Sequence, residues 1–169
     1  MQQSSEVACY GCGTLVLDVD GPTHRYIGAS AGCWALYGEV LARGAGDPLF
    51  GDPGMLISNS YAVQHPGIPG PQAIQSVAVH LIGLYAILGL GYHGRRMVDV
   101  LRRAADGSHR FRWLEPPTTH YPVTIRSVYA AVEPDAHHAA AHAMAETTWA
   151  TWQKYHAQIA AWAVAVGVE

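Results

Sequence analysis

All three cysteines of the chain fall within its first thirty-five residues, as Cys9-Tyr10-Gly11-Cys12-Gly13 and then Cys33, with His24 between them. A Cys-x-x-Cys-Gly turn aims two sulfurs at one point. The spacing Cys12-x11-His24-x8-Cys33 then completes a Cys3His set of the kind that zinc takes in closed structural sites. The ligand set read from this spacing is Zn2+ held by Cys9, Cys12, His24 and Cys33, with His65 from a later segment as the competing nitrogen donor. The other use of Cys-x-x-Cys, a thioredoxin-like redox pair, needs a buried strand before the motif and a helix after it. No such strand pattern precedes Cys9.

That cluster must be carried by a body of limited size. At 169 residues, half of them hydrophobic and 14% charged, the chain suits one folded unit with its own core and is no disordered chain. The expected organisation is a single domain over 1–169, with a metal-knuckle segment at 1–35 packed on a helical body at 30–166. Net charge is −3 and no basic patch stands out, so no nucleic-acid partner is expected. Met1 to Glu6 is polar without an apolar signal core, and the apolar stretch Val77 to Leu90 is interrupted by His80, Gly83 and Gly89. No membrane partner is expected, and the cytoplasm is the expected location, where unpaired cysteines bind metal or react more often than they form disulfides.

Periodicity and punctuation predict a mainly α, helical-bundle body. Ser30 is placed to cap a helix running to Arg43, with Gly44 closing it and Cys33 in its first turn. The stretch Gly44 to Gly70, rich in Gly and Pro, reads as irregular connection. Helices follow from Pro71 to about Leu88, from Arg95 to Ala105, from Thr124 through Val132, and from about Asp135 to about Val166. Phe111 to Pro117 reads as an extended segment, because its paired prolines exclude helix.

Two features of this body carry chemistry. Gln72, Ser76, His80 and Gly83 share one face of an otherwise apolar helix: either this is its solvent face, or it faces the interior and its polar groups need partners or a ligand. Gln64, His65, Gln75, Ser76 and His80 are therefore the candidate catalytic residues of a small-molecule pocket beside the metal. The last predicted helix is studded with His137, His138, His142 and His156. His138 and His142, four residues apart, can chelate one metal, although an Ala-rich helix carrying His is also an ordinary surface composition.

Several motifs in fixed order complete the reading: Cys9-x-x-Cys12-Gly13, Asp18 to Tyr26, Gly32-Cys33-Trp34, Tyr61-Ala62-Val63-Gln64-His65-Pro66-Gly67, Gln75-Ser76 with His80-Leu81, and Trp113-Leu114-Glu115-Pro116-Pro117. Together the chain resembles a family of small bacterial proteins classed as a domain of unknown function. The resemblance implies no reaction. It does mark a departure: the family pattern has a His and an Asp shortly before the Tyr-Ala-Val-Gln-His-Pro segment, where this chain reads Met55-Leu56-Ile57-Ser58-Asn59-Ser60. A specialised member of a biosynthetic pathway would account for that change. Two function classes follow: a zinc-dependent enzyme acting on a small molecule, or a non-catalytic helical binding module in which the zinc is structural.

Overall fold

The computed structural model describes residues 5–47 and 53–168. Among them the fold is mainly helical, with one two-stranded sheet and seven α-helices. Strands β1 (Glu6–Ala8) and β2 (Leu15–Leu17) pair antiparallel, Val7 facing Val16. The turn between them carries the knuckle and is closed by Cys9 N–H to the Thr14 carbonyl at 2.8 Å and Gly13 N–H to the Cys9 carbonyl at 2.7 Å. Gly13 has a φ of +79°, which only glycine adopts at little cost.

The helices are α1 (Ala31–Gly46), α2 (Gly54–Gln64), α3 (Pro71–Leu84), α4 (Gly94–Ala105), α5 (Ile125–Ala130), α6 (Pro134–Thr151) and α7 (His156–Ala165). Two apolar clusters organise them. In the first, Val77, Leu81 and Leu84 of α3 meet Met97 and Val100 of α4, Ile159 and Trp162 of α7, and Trp152. In the second, the knuckle, α1 and α5 close over Ile57 and Tyr61 of α2 and Ala141 and Met144 of α6. Leu114 is buried in the extended 111–117 segment, whose Phe111 and Trp113 lie against the first cluster.

Helix α2 stands between the two clusters, giving Leu56 and Val63 to one and Ile57 and Tyr61 to the other. The sequence reading took this stretch as irregular connection, and the structure corrects it; residues 48–52 of that connection lie outside the described residues. A helix buried on all sides has no polar stripe, so periodicity is silent about it. Its polar groups are bonded inward instead: Ser60 Oγ donates to the Leu56 carbonyl at 2.7 Å, and Gln64 Nε2 to the Val123 carbonyl at 2.9 Å and Thr148 Oγ1 at 2.8 Å.

The expected single last helix is also corrected. It breaks at Trp152 into α6, a 3-10 turn at Gln153–Tyr155, and α7. Thr147, Thr148 and Thr151 each donate a hydroxyl to the carbonyl four residues earlier, a bonding pattern that bends helices. His156 then stacks on Trp149 at 3.8 Å and bonds its carbonyl through Nε2 at 2.9 Å, fixing the bend. At the other end of the chain, α1 starts after Ser30 as expected, but no side-chain cap is made, and the helix passes Gly44 to end at Gly46. Helix α3 continues into a π-helical turn at Tyr85–Gly89. Pro71–Gly89 is apolar and long enough to cross a bilayer, yet half of it is buried inside the protein as the central core helix.

Candidate metal centre

The knuckle turn, the first turn of α1 and the residue after α2 meet at one point. Cys9, Cys12, Cys33 and His65 place their ligand atoms within 4.8 Å of one another, and all four residues are buried, at most 1% exposed. Cys12 Sγ lies 3.9 Å from Cys33 Sγ, and Cys33 Sγ lies 3.4 Å from His65 Nε2. A tetrahedral zinc with Zn–S of about 2.3 Å and Zn–N of about 2.0 Å has S–S edges of about 3.8 Å and S–N edges of about 3.5 Å. The donor set and its spacing fit a Cys3His metal site.

The surroundings prepare the ligands. His65 Nδ1 is 2.7 Å from the Tyr61 carbonyl oxygen. A carbonyl only accepts, so Nδ1 carries the proton and the Nε2 lone pair faces the sulfurs, the tautomer a metal requires. Tyr61 also donates its hydroxyl to Cys33 Sγ at 3.6 Å, and the Ser30 backbone N–H donates to Cys9 Sγ at 3.5 Å. Stacking of Tyr61 on Tyr37, with ring centroids 4.0 Å apart, holds the phenol in place. Gly11 lets this packing close, since a Cβ there would stand 2.5 Å from the His65 ring. Without a cation the thiols divide unevenly. Hydrogen bonds from Cys12 and then Cys33 hold Cys9 far below the usual thiol range, while the bonds of Cys33 to Cys12 and Cys9, together with burial, push Cys33 far above it. A divalent ion removes that conflict by neutralising thiolates that burial otherwise penalises.

The expected fourth ligand is corrected: His65 stands in the cluster and His24 stands outside it. His24 Nδ1 instead accepts the backbone N–H groups of Tyr26 at 3.4 Å and Ile27 at 3.3 Å, and its ring packs against Tyr26 and Trp34. It fastens a turn that borders a cleft of about 600 Å3, lined by Tyr10, Arg25, Tyr26, Gln72 and Thr119 among others. A second cleft of about 490 Å3 shares Tyr26 and Gln72 and is lined further by Gln75, Ser76 and His80. Among the described residues, none of the four metal ligands lines either cleft.

The five residues picked for the pocket therefore separate. His65 belongs to the metal cluster, Gln64 is wholly buried and tied to α6 and the 123 carbonyl, and Gln75 donates to the Ala104 carbonyl at 2.8 Å, closing the end of α4. Ser76 and His80 face the second cleft. His80 Nδ1 is 2.8 Å from Asn59 Oδ1, and burial pushes its imidazole down to about 4, so it is neutral at pH 7. Gly83 leaves room for this pair, because a Cβ there would lie 2.7 Å from Asn59 Oδ1. Sequence reasoning missed Asn59 and Tyr61. The signal for Tyr61 was its position four residues before His65, one helical turn away and in line with the ring. On α6, His137 is buried, His138 half-buried and His142 exposed.

The chain belongs to the family of unknown function DUF5946, whose pattern matches residues 7–153 and so includes the whole metal cluster. Comparison with curated proteins and with solved structures gives no match.

Proposed function

We propose that zinc fills the Cys9, Cys12, Cys33 and His65 cluster as a closed structural centre, and that the fold it fastens binds a small molecule in the cleft of Tyr26, Gln72, Ser76 and His80. The observation that supports this reading is that four buried protein ligand atoms lie within 4.8 Å of one another, and none of their residues lines either cleft. A metal-dependent reaction at this cluster would need a vacant coordination position, which four protein ligands do not leave. A neutral His80, bonded at Nδ1 to Asn59, offers the cleft a hydrogen-bond acceptor at Nε2 and is a weak base at neutral pH. A cytoplasmic setting agrees with three unpaired cysteines gathered for a metal. A place in a specialised biosynthetic pathway agrees with an amide, rather than a carboxylate, next to His80.

Elemental analysis should find one zinc per chain, and cobalt substituted for it should give a thiolate-rich spectrum that exogenous azide does not alter. A spectrum that azide shifts would reveal an open position and overturn the structural assignment. For the cleft, a metabolite panel should contain a compound that raises the melting temperature of the wild type and not that of His80→Asn, with zinc content equal in both.

A further inference from the structure

We propose that the molecule bound beside α3 is an organic anion, its carboxylate or phosphate head held by Arg25 and its apolar body laid against the aromatic wall of the same cleft. This rests on the cleft reading above and names the class of ligand. The cleft of Tyr10 and Arg25 and the cleft of His80 share Tyr26 and Gln72, so the two adjoin. Arg25 is the one arginine lining them, and no aspartate, glutamate or lysine lines either among the described residues. It is exposed and makes no ion pair among the described residues. A guanidinium presents its N–H donors as a planar fork that fits a carboxylate or a phosphate.

The other groups of the Arg25 cleft suit the same ligand. His24 Nδ1 accepts the backbone N–H groups of Tyr26 and Ile27, so the ring proton sits on Nε2, which is a donor. Tyr10 is pinned by its hydroxyl, which donates to the Ala29 carbonyl at 2.7 Å, yet the residue is 64% exposed and lines the cleft. Ile68, 85% exposed, extends that apolar wall. Apolar surface beside an unpaired cation describes a ligand with a body and one anionic end, rather than an inorganic ion. The cleft is also built in advance. Gly28 N–H donates to the His65 carbonyl at 3.0 Å, and Gly67, with a φ of +73°, stands where a Cβ would lie 2.6 Å from the Tyr26 carbonyl oxygen. The turn that carries Arg25 is thereby fixed to the segment following His65, and its backbone needs little ordering when a ligand arrives.

The test uses three probes, hydrocinnamate, phenyl phosphate and the neutral hydrocinnamamide, titrated into zinc-loaded protein and followed by NMR. At least one anion should bind saturably and about tenfold or more tightly than the amide, with an affinity that falls as sodium chloride is added. Whether hydrocinnamate or phenyl phosphate binds better tells a carboxylate ligand from a phosphate one. Arg25→Gln should bring the better anion down to the level of the amide, with zinc content and melting temperature unchanged. Arg95→Gln, exposed on α4 and outside both clefts, should bind as the wild type does. The inference is overturned by an amide that binds as tightly as both anions, by anion binding that survives Arg25→Gln, by an equal loss in Arg95→Gln, or by no saturable binding of either anion. The cleft reading fails separately: a neutral metabolite whose stabilisation His80→Asn removes would keep that reading and discard this one.

Discussion

The knuckle and the polar face of α3 both bring polar side chains into an apolar body, and they resolve the problem in opposite ways. Around the knuckle, four buried groups from three separate segments bring their ligand atoms within 4.8 Å of one another. Along α3 and the adjoining end of α2, side chains bond to separate partners, Gln75 to the Ala104 carbonyl, His80 to Asn59, and Gln64 to Thr148 and the Val123 carbonyl, while Asn59 Nδ2 and Gln64 Oε1 are left without one. Metal-ligating atoms converging on one point suit a cation, whereas bonds to separate partners suit architecture with a cleft beside it.

The largest effect should come from the convergent group. Cys12→Ser, or chelation of the metal, should abolish zinc content and unfold the chain, since structural zinc supplies apparent binding free energy of about 10 to 16 kcal/mol and whole domains are stable by about 5 to 15. Inductively coupled plasma analysis and circular dichroism read both losses. His65→Ala should follow the cysteine variant, and His24→Ala should keep one zinc per chain; the reverse pattern would undo the ligand assignment.

Next in size is the pH dependence carried by His80. Its folded value of about 4 lies below the 6.5 of an exposed imidazole, so the unfolded chain takes up the proton first. This stabilisation is whole above pH 6.5 and drains away as pH falls towards 4, by at most about 3 kcal/mol. Because acid also releases zinc, the quantity to measure is the difference between wild type and His80→Asn in denaturant melts at each pH. A difference that does not change with pH would mean that His80 is already open to water. Gln64→Leu should cost about 1 to 3 kcal/mol by leaving Thr148 and the Val123 carbonyl with one donor fewer, without loss of zinc. The smallest and sharpest test is Asn59→Asp: a carboxylate beside His80 should raise the imidazole pKa, visible by NMR titration, with little change in zinc content.

How legible each part was follows from where its information lies along the chain. Cys9, Cys12 and Cys33 were readable because a knuckle and a helix start are local patterns, and α4 was readable because its arginines alternate with a buried stripe. The nitrogen ligand was not, because His65 follows Cys33 by 32 residues and chain distance says nothing about which imidazole returns. Helix α2 was hidden by its own burial, and the break at Trp152 by the lack of Gly or Pro; its cue was the run of threonines that turn back on their carbonyls. Among the candidate pocket residues, Ser76 and His80 line one cleft, but spacing could not show that Gln64 and Gln75 already had partners.

The separation of the ligands along the chain also sets an order of events during synthesis. Cys9, Cys12 and Cys33 emerge from the ribosome first, and His65 only after α2 has been made, 32 residues later. An ion bound there during synthesis would meet the three sulfurs first, and the imidazole would join them only once α2 seats its last turn.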